Sequence, residues 1–430
     1  MTDNHLSDLR FDSLDLHPSL RAGIAAAGFE YCTPIQASTL PIALKRDDVA
    51  GQAQTGTGKT AAFLIAAFQR LLTSDVPAKS DGDRKQPRIF ILAPTRELAI
   101  QIAKDAEDLG QHTDFKIGLA YGGTGYEQQR RTIEDGIDLL IGTPGRIIDY
   151  FKQGVFKLDE VEVVILDEAD RMFDLGFIKD IRYLLRRLPK PEKRLNMLFS
   201  ATLSMKVMEL AYEHMNEPEL IRIEPDKITA DRVRQAIFFP SNPEKMRLLV
   251  GLIREMGIGR IMVFVNMKRE AERVQAYLQA NGIDASAISG DVPQKKRMSL
   301  LKRFQSGELP VLIGTDVASR GLHIPDVQYV INYDLPQDCE DYVHRIGRTA
   351  RAGASGDAIS FGCETYAISL PDIENFIGHK IPVASYNPDD LPVLKKPPYS
   401  ARKSTGHKGR KPSGGRGGGR SRPRHQSKGA

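Results

Sequence analysis

Ala53-Gln54-Thr55-Gly56-Thr57-Gly58-Lys59-Thr60 follows a short apolar approach, Val49 and Ala50, and leads into a helical pattern from Ala61 to Leu72. Strand, glycine-containing turn and helix in that order make a phosphate-binding loop. Glycines let the chain curl until successive backbone N–H groups point inward at an anion, and the helix behind them adds its positive N-terminal end. In such a loop Lys59 brings a point charge to the outer phosphates, and the Thr60 hydroxyl is placed to ligate magnesium. The general pattern G-x-x-x-x-G-K-[ST] wants glycine where this chain has Ala53. Taken alone, the loop also reads as a Gly/Thr-rich surface turn that carries a lysine.

Outward from the loop, short apolar runs alternate with helical patterns between Asp47 and Glu224. Candidate strands are Ile89–Ala93, Ile117–Tyr121, Leu139–Gly142, Val163–Leu166, Met197–Ser200 and Leu220–Ile223. Runs of this kind separated by amphipathic helices argue for a parallel sheet covered on both faces. Ser74–Gln86, polar with glycine and proline, reads as a loop, and residues 225–232 as a linker. A second series follows: Ala236–Phe239, Ile261–Val265, Ala285–Ile288, Val311–Thr315, Val327–Asn332 and Ala358–Phe361. It has no phosphate loop of its own. Two α/β units, one able to grip a nucleotide, suggest a site completed across their interface; the other reading is a purely structural second unit.

The 430 residues suit two or three domains, and 27% charged with 41% hydrophobic residues is an ordinary soluble mixture. No apolar run approaches the roughly 18 residues that span a bilayer, and the first residues lack the basic-then-apolar order of a signal peptide. Cys32, Cys339 and Cys363 are far apart and odd in number, which fits thiols in a reducing cytoplasm. The net charge of +5 conceals an asymmetry: Lys395–Ala430 holds twelve Lys/Arg and no Asp/Glu, which leaves the first 394 residues a formal −7. Lys408–Arg424, without apolar residues, cannot offset its ordering entropy and is expected to be disordered. It serves either as a solubilising tail or as a sequence-independent grip on phosphodiester backbone.

Val163-Val164-Ile165-Leu166 runs directly into Asp167-Glu168-Ala169-Asp170. A buried strand ending in carboxylates, downstream of a phosphate loop, holds hydrated magnesium beside a γ-phosphate. Asp167 suits the metal and Glu168 the orientation or deprotonation of an attacking water. With these stand Pro94-Thr95-Arg96-Glu97-Leu98-Ala99, Gly122-Gly123, Thr143-Pro144-Gly145-Arg146 and Ser200-Ala201-Thr202. The second unit adds Val263-Phe264-Val265-Asn266, Gln294 with Arg297, Thr315-Asp316-Val317-Ala318-Ser319-Arg320-Gly321, and His344-Arg345-Ile346-Gly347-Arg348-Thr349-Ala350-Arg351. From Phe11 to about Arg351, in this order, the chain resembles the DEAD-box RNA helicases.

The resemblance implies two tandem RecA-like domains with parallel sheets, an α/β fold of the P-loop NTPase class and helicase superfamily 2. Expected bounds are residues 1–224 and 233–387, with a basic disordered tail at 388–430. It also implies ATP and Mg2+ as cofactors. Phe11 and Gln36 resemble an adenine sensor, the ring stacking on the base and the amide matching N6 and N7. Thr55, Gly56, Thr57, Gly58, Lys59, Thr60 and Asp170 are the remaining implied nucleotide contacts, with Thr60 and Asp167 at the metal. Lys59, Asp167, Glu168, Arg348 and Arg351 are the implied catalytic set, the two arginines reaching the γ-phosphate from the second domain, where such a finger is worth about 10³–10⁵ in rate. Pro94, Thr95, Arg96, Gly123, Thr143, Gly145, Arg146, Arg297 and Thr315 are implied contacts to RNA backbone, without base reading. Ser200, Thr202 and His344 are implied to couple the two ligands. Three positions depart from the family pattern: Cys32 where proline is commoner, His323 where an aspartate usually contacts ribose, and Ala350 for glycine.

Leu195–Ser200, Arg320–Ile324 and Asp338–His344, with the Gly/Arg tail, narrow the resemblance to the helicase of the bacterial RNA degradosome. That implies a cytoplasmic monomer unwinding structured RNA for mRNA decay, with the scaffold region of endoribonuclease E docking on the second domain. An ATP-gated RNA clamp and a DNA helicase are the competing readings.

Overall fold

Aliphatic and β-branched runs with helices between them form parallel strands because both faces of each strand can then be covered. The computed structural model describes residues 6–53, 56–74, 86–123, 125–223, 233–257, 259–289, 292–316, 327–349 and 356–398. Thr55, His323, Ala350, Arg351, the linker at 225–232 and the chain beyond Pro398 lie outside the described residues.

The first half forms one seven-stranded parallel sheet: β1 (Val49–Gln52), β2 (Ile89–Leu92), β3 (Ile117–Ala120), β4 (Leu139–Gly142), β5 (Val163–Leu166), β6 (Leu195–Ser200) and β7 (Glu219–Arg222), in the spatial order β3-β4-β2-β5-β6-β1-β7. The second half forms a six-stranded parallel sheet: β8 (Val233–Phe238), β9 (Ile261–Phe264), β10 (Ala285–Ile288), β11 (Val311–Gly314), β12 (Tyr329–Asn332) and β13 (Gly356–Phe361), in the order β10-β11-β9-β12-β13-β8. These are two RecA-like domains, and every candidate strand is present: Leu139–Gly142, Val163–Leu166 and Ala285–Ile288 with the expected bounds, the others with one or both ends displaced by one to three residues.

The two-residue period of a strand divides each core. Ile89 and Ile91 enter one layer with Phe63, Ile65 and Ile102, whereas Phe90 and Leu92 enter the other with Ile147, Ile181 and Leu184. The helix Lys59–Leu72 is buried continuously from Ala61 to Phe68, which marks it as central rather than amphipathic. In the second domain Ile261 and Val263 face Leu249 and Val274, while Met262 faces Leu300 and Phe304.

The chain stays packed beyond Pro388. Ile237 donates its backbone N–H to Pro382 O (2.9 Å), and Ala384 donates to Ile237 O (2.8 Å), so this segment covers the open edge of β8. Arg247 then donates to Leu391 O (2.6 Å), and Asn281 both accepts from Lys395 N and donates to Lys395 O, each at 3.0 Å.

Strand order decides where loops meet. β5, β6 and β1 are neighbours, so the turns carrying Asp167, Ser200 and Gly56 converge at their carboxyl ends; β2, β4 and β3 are neighbours, so those carrying Pro94, Thr143 and Gly123 converge beside them.

Candidate active site

Gly56 and Gly58 both adopt φ 90°, in the left-handed region that L side chains avoid. A Cβ on Gly58 would stand 2.6 Å from Gln36 Nε2 and 3.0 Å from Thr33 Oγ1. Gln36, 4% exposed, accepts from Thr33 N at 2.8 Å through Oε1 and donates through Nε2 to Gly58 O at 3.0 Å. One amide therefore closes the capping box of the helix Pro34–Ala43 and ties it to the phosphate loop. Gln36, Gly56, Gly58, Lys59 and Thr60 share a cavity of about 1060 Å³ with Phe29, and Thr57 lies in the same turn, half-buried.

Phe11 requires a correction. Its ring is only 3% exposed and lies under Phe29, centroids 6.0 Å apart and planes 26° off parallel. Phe29 is 40% exposed and lines the cavity. The ring open to the cavity is that of Phe29; Phe11, joined to the core with Leu16 and Leu20, lies beneath it. Two aromatic residues eighteen positions apart do not reveal in sequence which one lies on top.

On the opposite wall Lys59 Nζ meets Asp167 Oδ1 at 2.9 Å, with side chains 5% and 0% exposed. Burial works against the Lys59 charge, but Asp167, Glu168 and Asp170 outweigh it and hold the ammonium above the usual lysine range. Burial pushes the Asp167 carboxyl up against the pull of Lys59. Asp167 Oδ1 also accepts from Glu168 N (3.0 Å), while Oδ2 is buried and has no hydrogen-bond partner among the described residues. Glu168 is a non-glycine residue at φ 53°, 7% exposed, with Arg171 Nη1 at 3.7 Å. A left-handed turn here breaks the line of β5 directly after Asp167. Burial also raises Asp170, which accepts from Arg171 N (2.9 Å) and Ala201 N (3.1 Å); its own N–H donates to Ser200 Oγ (3.2 Å). The acidic turn and the Ser200-Ala201-Thr202 turn are thus one hydrogen-bonded unit.

The second domain faces this unit. His344 and Arg348 line a cleft of about 680 Å³ together with Lys59, Glu168, Asp170 and Thr202. Behind them sits Arg345, 1% exposed, whose importance the sequence does not announce. It grips Asp316 through two nitrogens (2.6 Å each), and donates to Asp334 O (2.6 Å) and Asn266 Oδ1 (2.8 Å). Lys245, also buried, pairs with Asp334 at 2.6 Å above the Tyr333 ring. The turns after β9, β11 and β12 are thereby locked to the segment that carries His344 and Arg348.

Along the neighbouring edge, Thr95 caps the helix Arg96–Leu109 by accepting from Leu98 N (3.3 Å), and Pro94 is buried before it. The Arg96 guanidinium lies against Gly122 and Gly123, the latter at φ 101°. Thr143 starts the helix Pro144–Lys152 with its hydroxyl unused as a cap, Gly145 faces open space, and Arg146 lies over the Tyr126 ring (4.6 Å) while donating to Tyr150 Oη (3.1 Å). Thr315 is half-buried next to Asp316 at the end of β11. Arg297 stands apart from the others: it reaches across the domain interface to Glu97 Oε1 at 2.9 Å, and burial keeps its guanidinium below the usual arginine range despite that partner.

No helix among the described residues is long and apolar enough to cross a membrane. Residues 33–210 match the DEAD/DEAH box helicase family, and residues 244–353 the helicase conserved C-terminal domain. The chain is 58% identical to the ATP-dependent RNA helicase RhlB of Actinobacillus succinogenes, over 94% of this chain and 97% of that one. It is 54% identical to the RhlB of Shewanella halifaxensis over 100% and 99%. Among solved structures it is similar to S. cerevisiae Dbp5 bound to RNA and ADP BeF3 (TM-score 0.77, 31% identity, 89% of this chain and 96% of that one) and to Mss116 bound to ssRNA and UDP-BeF (0.79, 27%, 90% and 82%). Phosphate loop, acidic turn and a facing arginine-bearing domain agree with these matches: the chain belongs to the DEAD-box family of ATP-dependent RNA helicases, RNA-dependent ATPases, and within it to the RhlB type.

Proposed function

We propose that RNA draws the two domains together over ATP, and that the resulting closed state separates short stretches of structured RNA. The observation that carries this reading is the shared cleft, in which Lys59, Glu168 and Asp170 of one domain face His344 and Arg348 of the other. Gly56, Thr57, Gly58 and Thr60, with Thr55, present backbone amides and hydroxyls to the phosphates. Phe29 stacks on the base with Phe11 beneath it, and Gln36 holds the adenine-side segment against the loop. Glu168 orients a water and takes its proton as the water oxygen bonds to the γ-phosphorus and the bond to the ADP oxygen breaks. Arg348 and Arg351 stabilise the charge on the transferring group.

The residues present suit magnesium. Asp167 Oδ2 is a buried carboxylate oxygen with no other hydrogen-bond partner among the described residues, and Thr60 lies at the helix start beside Lys59. Magnesium keeps several waters and shares substrate phosphates, so one carboxylate and one hydroxyl are enough protein ligands for it. Bound there, it would neutralise charge developing on the phosphate oxygens.

Pro94, Thr95, Arg96, Gly123, Thr143, Gly145, Arg146 and Thr315 hold RNA backbone along one edge. Arg297 first closes the interface through Glu97. Ser200 and Thr202 relay RNA-driven closure to Asp170, and His344 completes the relay. The biological role we infer is mRNA decay in a cytoplasmic RNA degradosome, by a monomer whose second domain docks on the endoribonuclease E scaffold. The test compares ATP turnover stimulated by RNA and by DNA of equal length, in the native chain and in Glu168→Gln. The variant should bind ATP normally and lose about 10²–10⁴ in single-turnover rate. Equal stimulation by DNA would favour a DNA helicase, and unchanged turnover in the variant would leave Glu168 outside the chemistry.

A further inference from the structure

Two cavities meet at Lys59. One, of about 1060 Å³, holds Phe29, Gln36, Gly56, Gly58, Thr60 and Asp167; the other, of about 680 Å³, holds Glu168, Asp170, Thr202, His344 and Arg348. The Lys59–Asp167 ion pair, fully covered, is the partition between them. Base, sugar and inner phosphates belong to the first chamber, because the adenine-side residues and the loop glycines line it. The second chamber begins on the far side of the terminal phosphate, where in-line attack requires the water to arrive and the freed phosphate to recoil. It does not end at the catalytic groups: it continues outward past Ser204 to a rim formed by Arg182 and Lys206 of the first domain, opposite Glu340 and Asp341 of the second.

From this arrangement we propose that the second chamber is the route by which water enters and inorganic phosphate leaves while ADP is still held, with Lys206 as the cation that draws the phosphate out. This rests on the placement of Glu168 given above. The charge order suits one-way passage. At the inner end Lys59 and Arg348 hold the transferring group, and Asp170, joined by Glu168 once it has passed on the proton taken from water, weakens that hold on the detached phosphate. At the rim Arg182 is committed to Glu209 and Glu213, at 2.7 Å each, whereas Lys206 is exposed and makes no ion pair among the described residues. Lys206 can therefore meet an anion without first breaking a bond. The carboxylates of Glu340 and Asp341 across the rim keep that contact transient. The route exists only between the domains, so its width follows their closure, and phosphate departure is linked to the same motion that releases RNA.

The experiment separates the chemical step from product departure in the full-length chain with saturating oligo-uridine. Quench-flow measures hydrolysis in a single turnover, and a fluorescent phosphate-binding protein measures free phosphate. Lys206→Glu removes the rim cation, and Ser204→Trp narrows the passage; neither residue belongs to the catalytic set. Both should slow phosphate appearance, Lys206→Glu by about five- to tenfold, while hydrolysis stays within about twofold of native. Trapped phosphate should also exchange more oxygen-18 from water before it escapes, a signature that mere destabilisation does not produce. Phosphate appearing in step with hydrolysis in both variants, with unchanged isotope exchange, would overturn the route. Loss of hydrolysis in Glu168→Gln tests the catalytic assignment separately, so the two can fail independently.

Discussion

The ion pair between Glu97 and Arg297 is where the structure departs furthest from a simple set of RNA contacts. Its atoms are 2.9 Å apart, with side chains 9% and 12% exposed, and the partners lie on different domains. Removing one member of so covered a pair leaves a buried charge, at a cost of about 3–5 kcal/mol. Water reaches an interface more readily than a core, and both groups are solvated when the domains part, so about 2–3 kcal/mol should fall on the closed state alone. At 1.4 kcal/mol per factor of ten, this raises the RNA concentration for half-closure by about 30- to 150-fold. The assay is inter-domain energy transfer between two surface dyes, titrated with oligo-uridine in the presence of ADP–beryllium fluoride. It is run for Glu97→Gln, Arg297→Gln and the double variant. Each single change should shift the midpoint, and the double should shift it by much less than their sum, with a coupling above about 1 kcal/mol. Additive shifts, or a native midpoint for Glu97→Gln, would mean that Arg297 acts on RNA alone and that the inter-domain latch is irrelevant to closure.

Three further outcomes are expected. Phe29→Ala should raise the ATP concentration for half-maximal turnover by about tenfold, as loss of one base–aromatic stack worth about 1–3 kcal/mol requires; Phe11→Ala should do the same more weakly and also lower the melting temperature, because its ring is part of the core, and a larger ATP effect from Phe11 would reverse the assignment. Burial and the neighbouring Asp108 push Asp105 up to about 6. A carboxyl raised above its unfolded value of about 3.9 stabilises the fold fully only below that value, and the contribution is lost as pH rises through about 6. Asp105→Asn should accordingly gain about 1–2 kcal/mol in thermal melts at pH 8 and much less at pH 5; equal gains at both would refute the shift. Truncation after Pro398, which spares the Asn281–Lys395 clasp, should flatten the salt dependence of RNA binding by about 0.7 in slope for each phosphate that the tail neutralises. An unchanged slope would reduce the tail to a solubilising role.

The fold was legible because its signals are local. Aliphatic runs such as Val163–Leu166 announce buried parallel strands, and the glycines at 56 and 58 announce a turn that only they can make. The acidic turn was legible for the same reason, since Asp167–Asp170 directly follows its strand. What could not be read depends on distant partners. Lys245 begins an amphipathic helix, where a lysine normally faces water; only the fold brings Asp334 beneath it, eighty-nine residues away. Arg345 reads in sequence as one basic residue among several, yet it holds Asp316, Asp334 and Asn266 from three separate turns. Gln36 reads in sequence as a contact to the base, but its second task, bonding the carbonyl of Gly58, depends on how closely the helix Pro34–Ala43 approaches the loop. The order of Phe11 and Phe29 was hidden because stacking two rings leaves no trace in spacing.

The central claim is that the nucleotide held by the first domain is completed by arginines of the second. A crystal structure of the chain with ADP–beryllium fluoride and oligo-uridine tests it directly. The Arg348 guanidinium should lie within hydrogen-bond reach, about 3 Å, of the fluoride that stands for a γ-phosphate oxygen, with the Glu168 carboxylate on the side facing the attacking water. A closed, RNA-bound complex in which Arg348 and Arg351 both remain remote from the fluoride would contradict it.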